Sequence, residues 1–116
     1  MGFKLAPKKE IKTKVFVERL GDLGKVEKLD FVAIFKKLST SDVKALTEEM
    51  RNGNRDENEV VSEHLIGWEG VLDEDREELP FNDVSLELML DEVETRKALA
   101  VAFWKVQSGE VARKNS

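Results

Sequence analysis

Side chains that could carry chemistry are few in this sequence. His64 is the single histidine, and there is no cysteine. A metal site of the usual His/Cys kind needs several such ligands, and one histidine cannot supply them. No Ser-His-Asp set can be nominated from residue order, and thiolate chemistry is excluded. His64 falls at a helical position beside Val60 and Trp68, which suits a structural histidine better than a base or ligand. The densest polar cluster is Asp73-Glu74-Asp75-Arg76-Glu77-Glu78. It could hold a hard cation, but it lacks the sixth-position glycine and the distal bidentate Glu spacing of a calcium loop. A solvated turn is the better reading. Carboxylate pairs recur throughout, as 24 Asp and Glu in 116 residues must produce, so they carry no signal for acid–base catalysis. Glycines 21, 24, 53, 67, 70 and 109 are scattered turn residues, and none forms a phosphate loop. The residues therefore point to recognition: no enzyme, no cofactor and no metal are expected.

Length and composition bound what such a chain can be. With 116 residues, one domain is expected. Apolar residues make up 41% and charged residues 37%, enough for a core beneath an unusually charged surface. No apolar run approaches the ~18 residues of a membrane span. Met1-Gly2-Phe3-Lys4 lacks the long apolar stretch of a signal peptide. A protein of a reducing cytoplasm, away from membranes, is expected. The net charge of −5 is unevenly spread. Residues 1–37 carry ten Lys/Arg against five Asp/Glu, hence +5; residues 56–94 carry one Arg against fifteen Asp/Glu, hence −14. Two solvated faces are the plain reading. Complementary ends that steer self-association, or select an oppositely charged partner, are the sharper one. Nucleic-acid binding by the basic arm is not expected, because no stacking aromatics or recognition helix accompany the lysines.

The elements that would position these residues follow from periodicity. Residues 1–10 form a basic arm, expected to be flexible. Ile11, Thr13, Val15 and Val17 alternate with Lys12, Lys14 and Glu18, which predicts a strand over Ile11–Leu20, with Phe16 breaking the polar face. Gly21-Asp22-Leu23-Gly24 is a turn. Lys25–Lys37 carries Leu29, Phe31, Ala33 and Phe35 at period two. The same segment also offers Phe31, Ile34, Phe35 and Leu38 at helical spacing. The preceding turn favours a second strand, and so a hairpin that must pack on helices or pair with another subunit. Ser39-Thr40-Ser41-Asp42 is a dense N-cap cluster before a helix bearing Val43, Leu46 and Met50, stopped by Asn52-Gly53-Asn54. A second helix opens at Asp56-Glu57-Asn58 with the stripe Val60, Val61, His64, Leu65 and Trp68. Asn82-Asp83 caps a third with Leu86, Met89, Leu90 and Val93 inward, bent or broken near residues 91–95. A fourth runs from Val93 or Thr95 to about Gln107, and residues 108–116 form a polar tail. The fold class is α+β: an N-terminal β-hairpin followed by about four helices, helix-dominated, with one domain over 11–107.

Between the second and third helices, Leu65–Phe81 holds a Trp flanked by two glycines, the acidic turn and a Leu-Pro-Phe close. Trp68 and Phe81 are its large anchors, so the plain reading is a loop pinned at both ends to a core. Gly-Trp-x-Gly-Val, an acidic turn and Leu-Pro-Phe together resemble the tail assembly chaperones of long-tailed bacteriophages and prophages. The resemblance spans roughly Ile11 to Val106 and is specific in residues 65–81. Arg76-Glu77 departs from it where a glycine is expected. It implies a β region, a helix, a helix running into the Trp-Gly loop, and a closing helical segment. It also implies a partner, the tape measure protein, which such chaperones keep soluble and release as the tail tube polymerises around it. Further implications are self-association, residence in the cytoplasm of the bacterial host, absence from the mature virion, and a short form, which this chain would be, beside a longer frameshifted one. Gly67, Trp68, Gly70, Val71, Leu79, Pro80 and Phe81 carry over as a structural signature.

The contact surface is sought elsewhere. Ala98-Leu99-Ala100-Val101-Ala102-Phe103-Trp104 is apolar around the whole circumference of a helix, so that helix is buried on all sides or meets a partner. Leu99, Val101, Phe103 and Trp104 are the candidate contacts, with Phe16 and the basic arm second. Leu99 and Phe103 also fit an ordinary core face, and Val101 and Trp104 lie on another. Two rival readings remain: a structural tail or virion component of similar fold, and an acidic, DNA-mimic-like inhibitor that uses the carboxylates of residues 56–94.

Overall fold

The computed structural model describes residues 2, 3, 5 and 8–109. Residues 1, 4, 6 and 7 of the expected arm and 110–116 of the expected polar tail lie outside these. Two strands of equal length, β1 (Glu10–Leu20) and β2 (Val26–Lys36), form the expected antiparallel hairpin. The turn between them carries Leu23 at φ 59° and Gly24 at φ 74°. The alternation sorts β1 as anticipated: Val15 and Val17 are buried, and Phe16 points outward at 69% exposure. In β2, Phe31, Ala33 and Phe35 are buried, so its period-two pattern prevails over its helical one.

Helix α1 (Thr40–Arg51) begins where Ser39 Oγ accepts from Asp42 N at 3.1 Å. No residue of α1 is fully buried; Leu46 and Met50 rest on the edge of the core. Helix α2 (Glu57–His64) is capped by the Asp56 carboxylate. It ends four residues before the expected Trp68. Leu65–Glu69 is instead a third strand, β3, antiparallel to β2 on the side away from β1. The reason is a register shift. Trp68 pairs with Ala33 and Gly67 with Ile34, but Leu65 pairs with Phe35, and the irregularity lies between Ile34 and Phe35. The extra residue turns Leu65 and Trp68 to the same face at a spacing of three, which in sequence is indistinguishable from a helical stripe.

Asn82 and Ser85 form a reciprocal capping box at the start of α3 (Asp83–Asp91). The expected break falls at Glu92, with φ −89° and ψ 117°, and α4 (Val93–Ser108) follows directly. Val93 therefore starts α4 and is 42% exposed; it does not line the inner face of α3. Helix α4 lies against β1, with α2 and α3 beside it. Its Leu99, Ala100, Ala102, Phe103 and Val106 close the core over Val15, Val17, Phe31, Ala33 and Phe35. Phe103 meets the Phe35 ring edge-on at 5.5 Å.

One buried polar side chain ties the ends of these elements together. Gln107 Oε1 accepts from Leu38 N at 2.8 Å, and its Nε2 donates to Lys36 O at 2.7 Å. Gln107→Leu would leave that N–H and C=O unpaired in a half-buried setting, at a cost of about 2 kcal/mol. Urea denaturation should show the lower midpoint, and Gln107→Glu should restore only the bond from Leu38 N.

Candidate functional site

The structure sorts the expected contact residues into two environments. Leu99 and Phe103 are fully buried, aimed at the sheet, and no partner can reach them without opening the core. The contact reading is corrected for these two: they are core residues. Trp104 is half-buried, edge-on to Phe103 at 4.9 Å, with its indole N–H donating to Glu57 Oε2 at 3.1 Å. It closes the seam between α2 and α4. Val101 is 56% exposed and Phe16 is 69% exposed. These two, far apart in sequence, line one groove.

That groove, of about 1110 Å³, runs between β1 and α4. Its floor is apolar: Ile11 and Val15 from the strand, and Ala98, Val101, Ala102 and Val106 from the helix. Position 101 explains how it arises. The exposed residues of α4 are Val93, Lys97, Val101 and Lys105, which recur every fourth residue and so stay on one face, and Ser108 at its end. The small side chains of Ala98 and Ala102 keep the helix from filling the space beside β1. Lys12, Lys14, Lys37, Lys97 and Lys105 line the groove, against Glu18 and Glu94, a net of +3. Lys37 is committed to structure, since its Nζ donates to Val106 O and Gln107 O at the end of α4. Lys12 lies 2.9 Å from Glu69. Among the described residues, Lys14, Lys97 and Lys105 have no carboxylate within ion-pair distance.

The hairpin beyond the groove is also uncovered. Leu20, Leu23 and Val26 at its tip are 76%, 95% and 56% exposed.

The signature loop has the other role considered for it, anchoring. The Trp68 indole donates to Leu79 O at 2.7 Å, and its ring meets Phe81 edge-on at 4.9 Å. Gly67 packs under Ile34, where a Cβ would come within 3.3 Å of Cδ1. Gly70 turns the chain at φ 77°. Leu79 N donates to Val71 O, and Leu72 bridges to Glu78, so the loop is a short hairpin and Pro80 leads out of it to Phe81. Asp73 Oδ1 accepts from Asp75 N and Glu77 N, so one carboxylate of the acidic run closes its own turn. Arg76 takes the left-handed φ of 63° that a glycine would adopt without strain.

The acidic segment is partly neutralised within the fold. Arg55 contacts Glu49, Glu59 and Glu63. The hydrogen bond to Glu63 above all raises the Arg55 pKa from its ordinary value. Arg19 Nε lies 2.9 Å from Glu92 Oε1. His64 Nδ1 is 2.7 Å from Val60 O, a bond within its own helix. Among the described residues, no group of three or more His, Cys, Asp or Glu is placed to hold a metal ion, and no helix is long and apolar enough to cross a membrane.

Compared with protein-family models, curated proteins and solved structures, the chain has no significant match. The groove and the loop must therefore be interpreted from their own geometry.

Proposed function

We propose that this chain is a non-catalytic tail assembly chaperone of a long-tailed bacteriophage or prophage, binding the tape measure protein and keeping it soluble while the tail is built. The observation that carries the reading is the groove between β1 and α4, with Phe16 and Val101 exposed on it, together with the exposed apolar residues of the hairpin tip, on a chain of 116 residues. A domain of this size has a stability of about 5–15 kcal/mol. Contiguous apolar surface on it is a liability unless a partner covers it. A chaperone for a long, helix-rich client needs such surface, with charge around it to keep the complex in solution. Residues 65–81 support the family assignment as an architectural signature rather than as contacts. In this reading the protein acts in the cytoplasm of the bacterial host, self-associates, and leaves before the particle matures.

The inhibitor reading is the weaker one. A phosphate mimic needs a row of uncompensated carboxylates, whereas Glu59 and Glu63 share Arg55, Glu69 pairs with Lys12, and Glu92 lies against Arg19.

Co-expression with the tape measure protein of the same phage or prophage tests the proposal. Co-purification that survives high salt and keeps the client soluble is the expected result, because apolar contact is not screened as surface charge is. A client equally insoluble with and without this chain overturns it. Mass spectrometry of purified particles separates the remaining rival: the chain should be absent, and its presence at stoichiometric amounts would make it a virion component.

A further inference from the structure

We infer that the free edge of β1 is a strand-addition site, and that its occupant is an extended segment of the client with apolar residues alternating with acidic ones. The inference rests on the chaperone reading for the identity of the partner, but not for the chemistry of the surface.

The backbone supplies the first argument. Among the described residues the sheet order is β1-β2-β3, so β1 has one neighbour and one open edge along eleven residues. Which residues face that edge follows from the hairpin's ends. Lys37 N donates to Lys9 O at 2.8 Å, and Gly21 N donates to Lys25 O at 2.7 Å. Both pairs continue the β1–β2 register, and hydrogen-bonded pairs alternate along an antiparallel ladder. The odd-numbered residues of β1 therefore spend their N–H and C=O on β2. Lys12, Lys14, Phe16 and Glu18 turn theirs to the open edge, and all four line the groove. An added strand would find a ladder of donors and acceptors there, with α4 as a wall on its inner side.

The side chains supply the second argument, which selects the occupant. Alternate residues of an added strand would face Val101, Ala98 and Ile11 and must be apolar. The others would lie among Lys12, Lys14 and Phe16. The groove's net of +3, with Lys14, Lys97 and Lys105 unpaired among the described residues, calls for carboxylates between them. The chain's own ends do not fit. Residues 1–9 contain three lysines and no acid, and residues 110–116 contain one Glu against Arg113 and Lys114. A second copy pairing β1 to β1 would double the lysines at the junction.

The test uses the full chain and a fluorescein-labelled peptide of about eight residues, alternating Val or Ile with Glu. Anisotropy should show it binding at least about tenfold more tightly than the same peptide with Lys for Glu. Two further versions carry N-methyl groups on one or the other set of alternate residues. One set should lose about tenfold or more and the other almost nothing, because only alternate N–H groups meet β1. Lys14→Glu combined with Lys97→Glu should weaken the acidic peptide by about tenfold, with an unchanged denaturation midpoint since both side chains are exposed. Equal binding of the acidic and basic peptides, or equal loss for both methylated sets, overturns the inference. So does a chain that ignores the peptide and forms a dimer abolished by Phe16→Lys. The two levels separate cleanly. If the tape measure protein is captured equally by the wild type and the double variant, the groove inference falls and the chaperone reading stands. If the acidic peptide binds as described but the tape measure protein is not captured, the reverse holds.

Discussion

Phe103→Ala should destabilise the domain by about 3–5 kcal/mol, while Val101→Ala, two residues away, should change stability by no more than about 0.5 kcal/mol. Phe103 is fully buried and sits among three rings: Phe35 at 5.5 Å, His64 at 5.6 Å and Trp104 at 4.9 Å. These belong to β2, α2 and α4, so truncation opens a void where three elements meet. The transfer and cavity terms both apply, because none of the three can collapse inward without leaving its own partners. Against a total of about 5–15 kcal/mol, such a loss leaves a marginal fold. Val101 borders the groove and loses little on truncation. Equilibrium urea denaturation of the two variants decides the matter. A Phe103→Ala protein as stable as the wild type, but deficient in partner binding, would return Phe103 to the contact surface and overturn its assignment to the core.

Trp68→Ala should cost a similar amount, about 3–5 kcal/mol, and Trp68→Phe about 1–2 kcal/mol. Trp68 is 9% exposed and holds the loop in two ways. Its ring packs edge-on to Phe81, a geometry worth about 0.5–1.5 kcal/mol beyond burial. Its indole N–H satisfies Leu79 O across eleven residues of chain. Phenylalanine keeps much of the packing and orphans that carbonyl. Alanine removes both, and the hairpin of residues 71–79 loses the support beneath it. Amide exchange should then rise in residues 70–82 before it rises in β1 and β2. A Trp68→Ala variant that keeps its stability but fails to bind a client would make the Trp-Gly loop a contact site and reverse the anchoring role.

Much of the fold was legible because it depends on short-range rules. The alternation of Ile11 to Val17, the Ser39 and Asn82 caps, the stop at Asn52-Gly53-Asn54 and the glycine-bounded turn at 21–24 each act within a few residues, and each appears in the structure as read. The anchoring of the loop by Trp68 and Phe81 was legible for a related reason: large aromatics at both ends of a charged turn have nowhere favourable to go but the core. The candidate site was less legible. Phe16 and Val101 were both singled out, but on separate grounds, and nothing in their spacing places them on one groove. The lysines beside them looked like part of a basic half of the chain; Lys97 and Lys105, which complete the groove, lie outside that half.

By itself the sequence determined the hairpin, the caps at Ser39, Asp56 and Asn82 that start three of the helices, and the break before the fourth. These are properties of composition and of periods of two and 3.6 residues, which act locally. Only the tertiary structure decided that Leu65–Glu69 is a strand, because a register shift against β2 gave two inward residues a helical spacing. It alone decided which face of α4 stays bare, because a run of seven apolar residues names no face until the sheet and its neighbours cover the others. It alone left β1 at the sheet's edge, since strand order is set by what packs around the chain and not by the strand's own residues.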